Sequence, residues 1–225
     1  MSVGSSEGWS QHSSTYAEHV FDFTFQYNAV LNAAVRAEMQ KREGAATVLD
    51  VAAGPGIGSV ELARRCPTAT VIASDFAPGM VAMCTANIAK AGLGNVTARV
   101  ENALALSLET ASVQFVVSNF GIGILREPEM SQAVAEALRV VKSGGMVLFT
   151  VWSMDRDVGA LHAHKTMFKA FQTARGVTDV DKMPLGDTEA SLRDKFAALP
   201  GVKDVRVVDA RGTFVVRVAD LARSC

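Results

Sequence analysis

The chain holds only three cysteines in 225 residues, Cys66, Cys84 and Cys225. An odd number without metal-ligand spacing argues against a disulfide framework and a zinc site, and fits reduced thiols in a cytosolic protein. No charge of one sign dominates: 22 Lys and Arg stand against 23 Asp and Glu, for a net charge of −1. With no basic cluster, a nucleic-acid partner has no electrostatic footprint. No apolar run approaches the roughly 20 residues of a membrane span. Met1 to Ser14 is small and polar, lacks the apolar core of a signal peptide, and no arginine precedes Arg36, which argues against a transit peptide. Internal repeats and low-complexity linkers are missing too. What is present is 49% hydrophobic and 20% charged residues. That composition fits one large domain with a buried core, and a small molecule is the expected ligand.

The richest stretch is Val48-Leu49-Asp50-Val51-Ala52-Ala53-Gly54-Pro55-Gly56-Ile57-Gly58. It reads as an apolar strand running into a bare turn and then a helix. A second strand, Thr70-Val71-Ile72-Ala73-Ser74, ends at Asp75. Bare backbone at one strand end and a carboxylate at the next suit an adenosine-containing ligand in an open α/β sheet. Strands are expected at 47–52, 69–74, 96–101, 113–118, 145–152 and 203–209, and helices at 58–65, 79–91, 128–141 and 188–199. Their Val, Ile and Ala content, with little polar alternation, indicates a mostly parallel sheet covered on both faces, a doubly wound α/β fold. Residues 1–44 are expected to form a polar tail and a helical cap, with 1–14 mobile or ordered only on binding and the helical pattern from Thr15 to Arg42 breaking in two. Residues 45–225 then form the ligand-binding domain, with a substrate-side insertion at about 153–187 that carries a helical pattern near His162–Ala174. A last antiparallel strand is expected over 213–218.

Each motif also has a plainer reading. Gly54, Gly56 and Gly58 with Ser59 give an incomplete dinucleotide fingerprint, and a βα turn can be tight for packing alone. Asp75 suits a ribose cis-diol, yet also suits the N-cap of the helix starting near Pro78. Met80 suits an adenine face or the core.

Taken in order, these segments resemble class I S-adenosylmethionine-dependent methyltransferases, in particular the small-molecule group that includes quinone-biosynthesis enzymes. Val48–Ser59 is similar to their glycine-rich first motif, and Ser74-Asp75-Phe76-Ala77-Pro78-Gly79-Met80 to their acidic second motif. Glu101-Asn102-Ala103-Leu104 sits where an Asp-Ala pair is common. Val113–Gly121 resembles the fourth-strand motif, and Ala137–Trp152 the helix–turn–fifth-strand block. The likeness covers 45–155 well and 185–209 loosely, and implies a Rossmann-like methyltransferase fold with S-adenosylmethionine as cofactor. It further implies roles. Backbone around Ala52, Gly54 and Gly56 lies beside the methionine part, and Asp50 holds its ammonium. Asp75 holds the ribose, and Phe76 and Met80 flank the adenine. Asn102 and Ala103 read the adenine edge, while Ser118 and Asn119 line the path to the methyl group. Tyr16, Trp9 and Phe120 are aromatic candidates near the sulfonium, with ordinary cap packing as the alternative for Tyr16 and Trp9, more so for Trp9. Asn102 in place of Asp weakens the acceptor for the adenine amino group.

The implied activity is in-line methyl transfer to a small, partly apolar acceptor, by a cytoplasmic monomer or homodimer without a metal. No general base is assigned: His12, His19, His162 and His164 are more ordinary as packing or surface residues, and His162 and His164 cannot both face one site from a helix. Two alternatives stand beside this. A nicotinamide-dependent oxidoreductase fits Gly54, Gly56 and Asp75, but not Ser59 or the missing Tyr-x-x-x-Lys pair. A non-catalytic binding module fits the Asn102 departure.

Overall fold

In the computed structural model of the protein, the described residues are 6–11, 21–42, 44–151 and 188–207. The Val- and Ala-rich runs become five strands: β1 Thr47–Val51, β2 Thr70–Asp75, β3 Val96–Val100, β4 Val113–Asn119 and β5 Val141–Thr150. They lie in the order β3-β2-β1-β4-β5, and every neighbouring pair is parallel. The helices are α1 Ser6–Gln11, α2 Phe21–Gln40, α3 Ile57–Arg65, α4 Pro78–Ala91, α5 Glu129–Val140 and α6 Glu189–Ala197. Proline at the start of α4 and left-handed Gly92 after its end are the residues that begin and stop a helix at low cost.

Successive strand residues serve opposite faces, which is why β1 reads as a continuous apolar run. Val48 joins Val71, Val96, Phe115 and Val117 under Val35 of α2 and Leu62 of α3. Leu49 and Val51 join Val113 and Val116 on the other face, under Met130, Val134 and Ala137 of α5 and Leu192 and Phe196 of α6. Phe149 of β5 meets Phe196 edge to face, with ring centres 5.4 Å apart. The Rossmann-like, doubly wound expectation is therefore met.

Three local differences stand out. β5 begins at Val141, ahead of the expected 145, because the strand passes an irregularity between the Val113↔Val141 and Phe115↔Met146 pairs. Ser6–Gln11, within the stretch expected to be mobile or ordered only on binding, is a helix packed on α4. Residues 203–207 form no strand. The carbonyl of Val205 accepts from Arg193 Nη1 at 3.0 Å instead of a neighbouring strand, while Val205 and Val207 still pack on the α5–α6 core. The expected insertion at 153–187, the helix near His162–Ala174 and the strand at 213–218 lie outside the described residues.

Candidate active site

The chain builds β1, β2 and β3 outward, then crosses back to place β4 against the other side of β1. Ligands of open α/β sheets bind at such a reversal, beyond the carboxyl ends of the strands. Here those ends are Ala52–Gly54 and Asn119–Gly121. Ala52 and Phe120, the residues just past β1 and β4, both have φ of +57°. Left-handed backbone is uncommon for a non-glycine residue and costs energy, and such strain gathers at functional sites.

The two glycines of the turn differ in use. Gly54 has φ +57°, and nothing lies within 4 Å of where its Cβ would be. Gly56 has φ +76°, and a Cβ there would lie 2.0 Å from Cys84 Sγ of α4. Gly54 thus offers bare backbone to a cleft, whereas Gly56 lets α4 pack against the start of α3.

Asp75, at the tip of β2, turns toward that corner. Its Oδ2 accepts from the Gly54 N–H at 2.9 Å, and its Oδ1 from the Ala77 N–H at 3.0 Å. Burial pushes the Asp75 carboxyl above its ordinary range, opposed by backbone N–H donors from Ala77, Gly54 and Phe76. Each oxygen keeps a lone pair for a further donor. Asp50, only 5% exposed, accepts from Ser59 Oγ at 2.5 Å. Burial pushes its carboxyl up to about 7. The Ser59 bond opposes that shift, and the negative charge of Asp75 adds to it.

Asp50, Ala52, Gly54 and Asn119 line one cavity, together with Ala53, Pro55, Thr24 and Asn28. Asn119 bridges α2 and β5: its Nδ2 donates to the Thr24 carbonyl at 3.0 Å, and its Oδ1 accepts from Thr150 Oγ1 at 2.8 Å. Phe120 sits edge to face with Tyr27 of α2, ring centres 5.3 Å apart. Thr24 and Asn28 were not among the expected site residues. Their signal is a polar stripe, Thr24, Asn28 and Asn32, recurring every fourth residue along the helix. Asn32 Nδ2 donates to the Gly58 carbonyl at 3.1 Å, so the stripe faces the glycine turn.

The other candidates stand apart from this cavity. Ser118 is fully buried, and its hydroxyl accepts from the Ile122 N–H at 3.0 Å. Met80 is buried, and Phe76 is half-buried, with its carbonyl accepting from Ser6 Oγ at 2.8 Å. Asn102 is exposed, and its Oδ1 already accepts from the Leu104 N–H at 2.9 Å. Ala103 packs against the α5–α6 core. Trp9 is half-buried within α1. Tyr16 and all four histidines lie outside the described residues. Among the described residues, no group of His, Cys, Asp and Glu could hold a metal ion, and no helix is long and apolar enough to cross a membrane.

Residues 48–145 match a family described as "Methyltransferase domain". The chain is 33% identical over 101 residues to a demethylmenaquinone methyltransferase of Deinococcus radiodurans, covering 45% of this chain and 41% of that protein. It is 32% identical over 112 residues to the ubiquinone/menaquinone biosynthesis C-methyltransferase UbiE of Geobacter sulfurreducens, covering 49% and 43%. Among solved structures, it superposes on a candidate S-adenosyl-L-methionine-dependent methyltransferase of Methanococcus maripaludis. The TM-score is 0.54 at 20% identity, covering 68% of this chain and 67% of that one. The fold is therefore that of class I S-adenosylmethionine-dependent methyltransferases. The segment 48–145 is similar to the methyltransferase-domain family and to quinone-biosynthesis enzymes, and the chain spans less than half the length of those two curated relatives. None of these likenesses supports a nicotinamide-dependent oxidoreductase.

Proposed function

We propose that the protein is an S-adenosylmethionine-dependent methyltransferase acting on a small-molecule acceptor. The observation that carries this is the Asp75–Gly54 contact, which turns a buried acid into a bare-backbone corner at the sheet's reversal point. The residues present fit the cofactor. Gly54 leaves open space where a side chain would stand. Asp75 keeps acceptor capacity for two ribose hydroxyls. Two buried acids, Asp50 and Asp75, suit a ligand that carries a sulfonium and an ammonium.

The cofactor supplies an activated methyl group, so the protein's part is position and environment. Asp75 would hold the ribose and Asp50 the ammonium, with the Ala52–Gly54 backbone along the methionine portion. Phe76 and Met80 would lie to the adenine side, with Asn102 and the Ala103 N–H at its edge. The Asn102 oxygen is already engaged, which leaves its Nδ2 donors as the groups for that edge. Asn119, Phe120 and Tyr27 would wall the methyl end and exclude water, with Ser118 holding their loop from beneath. Tyr16 is carried as a candidate for the same end. Alignment of the acceptor with the methyl group supplies several kcal/mol of the barrier reduction.

The named relatives point to a quinone-type aromatic ring as the first acceptor to try. A cytoplasmic location and a monomer or homodimer complete the reading. Isothermal titration with S-adenosylmethionine and S-adenosylhomocysteine tests it: micromolar binding is expected, and a folded sample that binds neither at millimolar concentration sinks it. Methyl transfer to a reduced demethylated naphthoquinone, followed by mass spectrometry, tests the acceptor class.

A further inference from the structure

Thr150, the last residue of β5, makes two side-chain hydrogen bonds in opposite senses. Its Oγ1 lies 2.9 Å from the Phe120 N and 2.8 Å from Asn119 Oδ1. A backbone N–H can only donate, so the hydroxyl accepts from Phe120 and its single proton goes to Asn119. The Asn119 amide is thereby oriented without ambiguity. Its oxygen faces Thr150, and its nitrogen faces the carbonyl of Thr24, an acceptor only. The relay runs Phe120 N–H, Thr150 O–H, Asn119 amide, Thr24 carbonyl, and ties β4, β5 and α2 together at the rim of the cavity. Thr150 is itself held in place. Gly123 backs onto it so closely that a Cβ there would lie 2.2 Å from the Thr150 carbonyl oxygen. One Asn119 Nδ2 hydrogen is spent on Thr24, and the other has no partner among the described residues, although Asn119 lines the cavity.

We propose that Thr150 is a positioning residue for the cofactor cleft: it sets the Asn119 amide so that the cap helix is clamped to the sheet and one amide donor is left for an oxygen of the bound ligand. The inference rests on the function proposed above. It gives a role to a β5 side chain that is not among the cavity-lining residues, and it explains how left-handed Phe120 is held, with its N–H on Thr150 and its ring against Tyr27.

Thr150→Val removes the hydroxyl at nearly constant volume, and Thr150→Ser keeps it. S-adenosylhomocysteine affinity, measured by titration calorimetry on the full chain, is expected to fall at least tenfold in Thr150→Val and to stay within about threefold of wild type in Thr150→Ser. The Asn119 side-chain amide resonances are expected to shift in the first variant alone. If Thr150→Val does not fold, Thr150→Ala carries the same comparison. A hydroxyl-free variant that is folded and binds like wild type overturns the positioning role. So does equal loss in Thr150→Ser, which would mark a packing effect. Wild type failing to bind overturns the methyltransferase reading instead, so the two failures are distinguishable.

Discussion

The Gly54 N–H donates to Asp75 Oδ2 at 2.9 Å, joining the turn after β1 to the tip of β2. The two sides of the corner are thus fastened to each other, and the same carboxylate caps the next turn through Ala77. Asp75→Asn keeps the shape but turns one oxygen into a donor facing a backbone donor. Charge-assisted bonds contribute about 1.5–3 kcal/mol. S-adenosylhomocysteine affinity should therefore fall by roughly 10- to 100-fold, read by calorimetry. The unpaired backbone N–H should also lower stability by about 1–3 kcal/mol, read by denaturant unfolding.

Gly54 and Gly56 should separate binding from stability. Both need left-handed backbone, which costs an L-residue roughly 1–2 kcal/mol. At Gly54 a methyl group meets nothing in the protein, so Gly54→Ala should unfold only slightly more easily while losing cofactor affinity. At Gly56 the methyl would meet Cys84 Sγ. Gly56→Ala should add an overpacking cost of about 1–3 kcal/mol. Equal stability loss in the two variants would contradict this division.

The pH dependence follows from Asp50. Its carboxyl is held up to about 7 in the folded protein, against 3.8 ordinarily. Between those values the folded state binds more protons than the unfolded state, so stability falls as pH rises from about 4 to about 7 and levels off above. The raised Asp75 carboxyl adds a change of the same sign. Thermal midpoints of the ligand-free protein should therefore drop across this window, and Asp50→Asn should flatten the profile. A cationic ligand favours the ionised acid. Binding near pH 6 should then release protons, seen as a dependence of the calorimetric heat on buffer ionisation enthalpy.

The first helix should be detachable by one methyl group. A Cβ on Gly79 would lie 2.9 Å from both the Cα and the carbonyl oxygen of Ser10, where Ser10 Oγ accepts from the Gly79 N–H at 3.1 Å. Within a helix such as α4, Gly→Ala ordinarily stabilises by about 0.5–1 kcal/mol. Gly79→Ala should instead loosen α1, so hydrogen exchange should speed up at 6–11 while the sheet stays protected. Unchanged protection of α1 would refute the contact's importance.

Much of the fold and of the nucleotide-like corner is legible in the sequence alone. Val48–Gly58 reads as strand, turn and helix because apolar branched residues give way to glycines, and Asp75 stands out as an acid ending an apolar run. Thr24 and Asn28 are not legible in the sequence, because the helical pattern of α2 shows in its apolar residues and the polar stripe gains meaning only once the turn lies beneath it. The jobs of Gly54 and Gly56 could not be told apart in sequence, since Cys84 reaches Gly56 only through the packing of α4. Ser118 and Asn119, adjacent in sequence, point to opposite sides of the strand end. One supports the loop and the other borders the cavity. The start of β5 is obscured in the sequence because Gly144-Gly145 signals a turn, yet the strand runs through it as an irregularity between the Val113↔Val141 and Phe115↔Met146 pairs.

The joint between the ends of β1 and β4 has no slack. A side chain at Gly121 would intrude to 2.3 Å from Ala52 Cβ, 2.8 Å from Ser118 Oγ and 3.1 Å from the Val51 carbonyl oxygen. The ends of β1 and β4 are shut against each other like a closed seam, and any bulk placed there would pry the sheet apart. Retuning this scaffold for a larger guest is therefore open at the cavity-lining α2 positions Thr24 and Asn28, with the seam left untouched.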